Sequence, residues 1–189
     1  MQQSIDALRL CIPVVLGVIG LTTFAWTQTR AAPAAVRVNA SIQELMDGQI
    51  DPAADALWDS VAYIASTSGV EDRQPRTDAE WRAVRAQAVK LLEGTDLLAM
   101  PGRRVAVQPK KVGEGELTPA EIQRRIGATR AAFVQLAGAL RQTGLEALAA
   151  IDARDAPGLM AAGSQIDEAC EACHVAYWYP NQSRPGAQR

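Results

Sequence analysis

Histidine and aromatic residues are scarce in this chain of 189 residues, which has one histidine, two phenylalanines and three tyrosines. Alternation of β-branched with polar residues is scarce too, and alanine, leucine and valine dominate, so the composition favours helices over sheets. The formal net charge is only −2. Because a nucleic-acid-binding protein is expected to carry a concentrated basic surface, we predict no nucleic-acid partner.

Motifs of hydrolytic and phosphate chemistry are also missing from the sequence. No carboxylate pair, serine nucleophile or glycine-rich phosphate loop stands out. We therefore expect that the protein is not itself an enzyme.

The N-terminus has the pattern of an export leader. An apolar run from Leu10 to Trp26 follows Arg9 and precedes the small-residue stretch "AAPAA", as in a cleaved signal peptide. The run is slightly short for a membrane span of about 20 residues, and an uncleaved N-terminal anchor is the alternative. We predict that residues 1–35 are the leader or anchor. Residues 36–189 would then form an exported, periplasmic domain, either soluble or anchored to the membrane.

Four helices are predicted in the exported part. Three of them begin at a serine or threonine that is followed three residues later by glutamate, which is the capping-box spacing. Apolar residues then recur in steps of three or four. The predicted helices run from Ser41 to Ile64, from Thr77 to Leu98, from Thr118 to Ile151 and from Asp155 to Pro180. Pro52 either kinks the first helix or begins a new helix capped by Asp51.

The spacing of the apolar residues predicts how the helices pack. Alternating steps of three and four are typical of helices that lie nearly parallel. Four such helices with mostly short connections predict an all-α fold, an antiparallel four-helix bundle. The segment 102–117 is rich in glycine and charge, has no periodicity and predicts a loop.

The stretch "CEACH" carries the most specific chemical signal. Cys170 and Cys173 are three residues apart and His174, the only histidine, follows directly, so all three share one face of a helix. This is the spacing of covalent haem c attachment, in which two thioether bonds hold the macrocycle and the imidazole binds its iron. We therefore predict one covalent haem c on these residues.

Three other roles of the two cysteines fit the sequence less well. A redox disulfide of the thioredoxin type needs a strand-to-helix setting that the sequence lacks. A structural zinc site needs four ligands, and the exported part has no other cysteine or histidine. A plain disulfide within one helical turn has poor geometry. A non-haem structural or partner-binding bundle remains as the third functional hypothesis.

A helical chain with C-x-x-C-H near its C-terminus resembles the class II c-type cytochromes, the cytochrome c-prime group. The resemblance covers residues 38–180 in helix order, and "CEACH" is its one specific motif. It implies a four-helix bundle with haem tethered from the last helix by Cys170 and Cys173, and His174 as the proximal ligand. A basic residue often follows the histidine in that family, whereas this chain has "VAYWYP". The resemblance also implies a homodimer through the first two helices.

The second axial position of the iron would decide the function. Family members with methionine there are six-coordinate and transfer electrons, whereas members with an apolar residue are five-coordinate and bind nitric oxide or carbon monoxide. Met46 lies where the family places this residue, and the alternative is that it only fills core. Met160 is too far from His174 along the last helix, and Met100 ends the second helix beside a proline. We predict electron transfer with an unidentified redox partner protein, and gas binding as the alternative.

Other side chains are assigned less specific roles. Tyr177, one turn after Cys173, is predicted to border either the haem or the core. The tryptophans are predicted to pack on the haem or in the bundle: Trp58, Trp81 and Trp178. Basic residues of the loop are predicted to be solvated, with propionate pairing or docking of an acidic partner as the alternative: Arg103, Arg104, Lys110 and Lys111.

Overall fold

The part of the chain that the structure describes is mostly helical and contains a small two-stranded sheet. A computed structural model describes residues 37–67, 69–107, 112–180 and 182. The predicted leader or anchor, and Lys110 and Lys111, lie outside these residues. The elements are α1 (Ile42–Leu45), a π-helical turn (Met46–Ile50), α2 (Asp51–Ser60), β1 (Ala62–Ser66), β2 (Gly69–Arg73), α3 (Asp78–Leu98), α4 (Pro119–Ala128), α5 (Arg130–Asp152) and α6 (Ala156–Tyr177). None of the described helices combines the length and the apolar character that a membrane crossing requires.

The three predicted capping boxes are confirmed. The cap side chain accepts a hydrogen bond from the backbone N–H three residues later, and the glutamate at that position accepts one from the cap backbone; the pairs are Ser41–Glu44, Thr77–Glu80 and Thr118–Glu121. Hydrogen bonds from the cap residue hold the pKa of Glu44 and of Glu121 below the usual value. The pKa of Glu80 is lowered mainly by the hydrogen bond from the Arg76 N–H, together with those from Thr77. The predicted start of the last helix is also confirmed, because the Asp155 side chain accepts from the Gly158 N–H at 3.0 Å.

A π-helical turn precedes Pro52 in the first predicted helix. The N–H of Asp51 donates to the carbonyl of Met46, five residues earlier, and Asp51 has helical dihedral angles with no side-chain cap at the start of α2. Pro52 occupies the first turn of α2, where its missing donor costs little. The chain therefore stays helical through this region, with one wider turn instead of a separate capped helix.

The all-α prediction is wrong between residues 61 and 73. The first helix ends at Ser60, and Val61 is already extended, with φ −138° and ψ 129°. An antiparallel hairpin follows, in which Tyr63 pairs with Asp72 and Ile64 with Glu71. Ile64, predicted to lie on the apolar helix face, is 46% exposed. Tyrosine, isoleucine and valine favour strands. After Ile64, no apolar residues continue the helical spacing of three or four.

The predicted third helix is interrupted at Thr129, whose φ of −128° and ψ of 39° are not helical. Tyr177 explains the break, because its hydroxyl lies 2.8 Å from Thr129 Oγ1 and donates to the Thr129 carbonyl at 3.3 Å. The Tyr177 ring also packs edge-to-face on Phe133 at a centroid distance of 5.3 Å. A contact 48 residues along the chain therefore fixes an irregular point that local periodicity does not reveal.

The long helices pack pairwise around one core. Helix α5 packs against α3 and α6, and α2 packs against α3 and α6, while α4 lies against α5 and α6. The largest fully buried side chains include Ile50, Leu57, Leu91, Leu98, Ile122, Leu159 and Ile166. The loop after α3 also binds the first turn of α1, because the carbonyls of Arg104 and Val105 accept hydrogen bonds from the N–H groups of Ile42 and Gln43, each at 2.9 Å.

Candidate cofactor site

A cavity of about 260 Å³ lies between α2, α3, α5 and α6. Its walls are Met46, Ile50, Asp51, Ala54 and Trp58 from the π turn and α2, Leu98 from α3, Leu136, Ala137 and Leu140 from α5, Asp167, Cys170, Glu171, Cys173 and His174 from α6, and Tyr179 beyond it. Asp51 and Asp167 are exposed as well as lining the cavity, so the cavity reaches the surface between α2 and α6.

The structure brings the three residues of the "CEACH" motif together on the cavity wall. Cys170, Cys173 and His174 all line it, as expected for positions one helical turn apart. All three are half-buried, and the two cysteines are free and not joined in a disulfide. Two thiols and one imidazole therefore face the same space from a single turn of α6.

Burial keeps the two thiols protonated. It raises the pKa of Cys170 to about 12, with smaller contributions from the nearby Cys173, Asp167 and Asp51. Burial also raises the pKa of Cys173 to about 11. Redox-active cysteines act as thiolates and need a lowered pKa. The environment of these thiols is therefore unlike that of a thioredoxin-type pair.

The imidazole of His174 is held neutral. Burial lowers its pKa, and the carboxylates of Glu171 and Asp51 oppose that effect only in part. A neutral imidazole has the free nitrogen lone pair that metal ligation requires. The Tyr179 ring lies edge-on to His174 at a centroid distance of 6.0 Å, and its hydroxyl donates to Glu171 Oε2 at 2.6 Å.

Of the three methionines considered as ligands, Met46 alone lines the cavity. It is the first residue of the π turn and packs, half-buried, against the core. Met160 is 40% exposed on α6. The sulfur of Met100 accepts a hydrogen bond from Arg103 Nη2 at 3.8 Å, away from the cavity.

Of the aromatic residues given roles from the sequence, one lines the cavity, and the others lie in the core or pack against it. Trp58 lines the cavity, and its Nε1 donates to the Gly163 carbonyl at 2.9 Å. Trp81 is buried in the core, and Trp178 packs partly buried against it. Tyr177 lies in the core instead of on the cavity, where it fixes the break at Thr129.

Arg103 departs from the predicted solvated loop. Its side chain is buried, and its Nε donates to the Leu97 carbonyl at 2.9 Å, while Nη1 donates to the Ala40 carbonyl. The guanidinium therefore joins the end of α3 to the residue before the cap of α1. Arg104 is exposed, as predicted.

Several lining residues were not expected from the sequence. Tyr179 comes after the last helix and Asp51 lies beside the π turn, so neither belongs to a recognisable motif. Leu98, Leu136 and Leu140 stand at apolar helical positions that indicate only burial. One signal did exist for Asp51, since it is four residues from Asp47 and four from Asp55, which places a carboxylate stripe along one helix face.

The donor chemistry of the cavity fits a covalently attached haem. It offers two adjacent thiols, a neutral imidazole, a thioether sulfur and apolar walls. Its volume of about 260 Å³ is just below the lower limit of about 300 Å³ for small-molecule pockets, and the cavity is open to the surface between α2 and α6. Within the described ranges, no three His, Cys, Asp or Glu side chains are grouped to hold a metal ion. No family model, curated protein or solved structure matches this chain.

Proposed function

We propose that the chain is an exported monohaem c-type cytochrome of the class II kind, which transfers electrons through a covalently attached haem c. One observation carries the proposal. Cys170, Cys173 and His174, at haem-attachment spacing, line one cavity together with Met46 from a different element. The bound haem would supply an iron that alternates between the ferric and ferrous states.

The residues of α6 would hold the group. Cys170 and Cys173 would hold it covalently through two thioether bonds. His174 would give its lone pair to the iron. The pairwise contacts of α2, α3, α5 and α6 support the further proposal that these helices form an antiparallel four-helix bundle.

The apolar side chains on the cavity wall would tune the site. Ile50, Leu98 and Leu140 would surround the group with apolar side chains, which favours the less charged state of a redox centre. The sulfur of Met46 would act in the same direction, because a thioether ligand stabilises ferrous iron. We therefore propose Met46 as the second axial ligand.

An alkaline pyridine spectrum tests haem attachment. We expect protein matured in a host with haem-attachment machinery to show the spectrum of a haem bound by two thioethers. Cys173→Ser should show the single-thioether spectrum. As a matched control, the Cys11→Ser change lies in the predicted leader and should leave the spectrum unchanged. Protein that matures without haem would support the non-haem bundle instead.

Gas binding is the second candidate, because apolar side chains share the cavity with Met46. Spectra of the ferric protein distinguish electron transfer from gas binding. A sulfur-to-iron charge-transfer band that is lost in Met46→Ala and kept in Met160→Ala would support electron transfer. A high-spin spectrum in the unmodified protein, with ready binding of carbon monoxide, would support gas binding.

A further inference from the structure

Charge is distributed unevenly over the described helices. Residues 42–60 and the helix α6 together contain eight carboxylates and no lysine or arginine. By contrast, α3, α4 and α5 each contain both signs of charge. The cofactor cavity opens between these two segments, and we call that side of the molecule the acidic face; the whole chain has a net charge of only −2.

A second cavity, of about 460 Å³, lies on this acidic face. Trp58, Val61 and Met160 line it together with the acidic side chains of Asp167 and Glu168. We call it the acidic groove. Met160 is 40% exposed there. An aromatic ring and carboxylates at one opening match the side chain of lysine or arginine, whose cation is attracted by both.

Trp58, like Asp167, lines both the acidic groove and the cofactor cavity. Its ring is fixed by the hydrogen bond from Nε1 to the Gly163 carbonyl. A Cβ atom added at Gly163 would lie 3.1 Å from Trp58 Cδ1, so the indole packs directly on the backbone of α6. A side chain in the groove would therefore lie beside the indole that also lines the cofactor cavity.

We propose that the acidic groove is the docking site of a basic one-electron carrier protein, which places a lysine or arginine side chain beside Trp58, Asp167 and Glu168. The electron-transfer part rests on the proposed function. On docking, one electron passes between the carrier and the haem iron past Trp58, so that one centre is oxidised as the other is reduced. Complementary charge accelerates such an encounter and makes it dependent on salt.

Binding of octalysine to the full chain tests the surface without reference to haem. Reversing the charge in Glu168→Lys should weaken binding by about fivefold at low ionic strength, in the range expected for loss of exposed charge pairs. The matched control is Glu93→Lys on α3, which makes the same change in net charge outside the groove and should change binding by less than about twofold. Equal weakening in both variants would overturn the proposed site.

Reduction of the haem-loaded protein by the cation hexaammineruthenium(II) tests the electron path. The rate should fall as ionic strength rises, and Glu168→Lys should slow it more than Glu93→Lys does. Equal rates in the two variants would contradict docking at the groove. A protein that carries no haem but still discriminates the variants with octalysine would refute the proposed function and leave the docking site standing.

Discussion

The contact between α3 and α5 differs from the contact between α2 and α6. Between α3 and α5, Leu91 is fully buried, although Leu98, Leu136 and Leu140 of these helices also line the cofactor cavity. Two ion pairs, each with a distance of 2.8 Å, join these helices on the outside: Arg85–Asp152 and Arg141–Asp96. Between α2 and α6 there is a cavity, and carboxylates stand on both helices.

This difference indicates which half of the molecule is built for stability. Fully buried apolar side chains and opposite charges stabilise a helix pair, whereas a cavity and like charges cost free energy. Sequences depart from such packing rules mainly at functional sites. The departures at α2 and α6 coincide with the two cysteines and the histidine, which is why we place the function there.

Truncation of apolar side chains in the two regions should have the largest effect on the free energy of unfolding. Leu91→Ala should lower the free energy of unfolding by about 3 kcal/mol, because a fully buried leucine leaves a new cavity. Met46→Ala in the haem-free protein should cost only about 1 kcal/mol, because Met46 is half-buried beside space that already exists. Urea unfolding followed by circular dichroism measures both. If both variants lose the same free energy of unfolding, the proposal that Met46 borders an existing cavity would be contradicted.

Two glycine substitutions probe the π turn that carries Met46. A Cβ at Gly94 would lie 2.7 Å from Ile50 Cγ1, so Gly94→Ala should destabilise the protein by about 1–3 kcal/mol through overpacking. Gly138 on α5 has no atom within 4 Å of such a Cβ, and Gly138→Ala should stabilise by about 0.5 kcal/mol or more. Thermal unfolding should therefore shift in opposite directions. A shift in the same direction would contradict the close approach of α3 to the turn.

Single charge removals should give the smallest effects, again with opposite signs. Asp152→Asn breaks the exposed pair with Arg85 and should lower stability by at most about 1 kcal/mol. Glu168→Gln removes a like charge from the acidic face and should raise stability by a few tenths of a kcal/mol. High salt should reduce both differences. Urea unfolding at low and high salt checks this, and a destabilising Glu168→Gln would argue against repulsion on that face.

Local signals in the sequence predicted the helix starts well. The boxes at Ser41, Thr77 and Thr118 depend on groups only three residues apart, so they can be read from the chain alone. The same applies to the shared face of Cys170 and His174, which follows from helical spacing.

Features that depend on distant contacts could not be predicted. The break at Thr129 is fixed by Tyr177, and Arg103 is buried because carbonyls of Leu97 and Ala40 accept from it. The 3.6-residue pattern continues through Thr129 and gives no sign of the break. The hairpin was missed because Ile64 also fits the apolar steps of a helix. The π turn needs the glycine surface of α3 at Gly94, which no local pattern indicates.

The intact mass of the denatured, reduced protein tests haem attachment most directly. Purified from a host able to attach haem, and after extraction of non-covalent haem, each chain should be heavier by the mass of one haem, and the Cys170→Ser/Cys173→Ser variant should lack that increment. A chain of unmodified mass with both thiols free to alkylation would contradict the assignment of Cys170, Cys173 and His174 as a haem site.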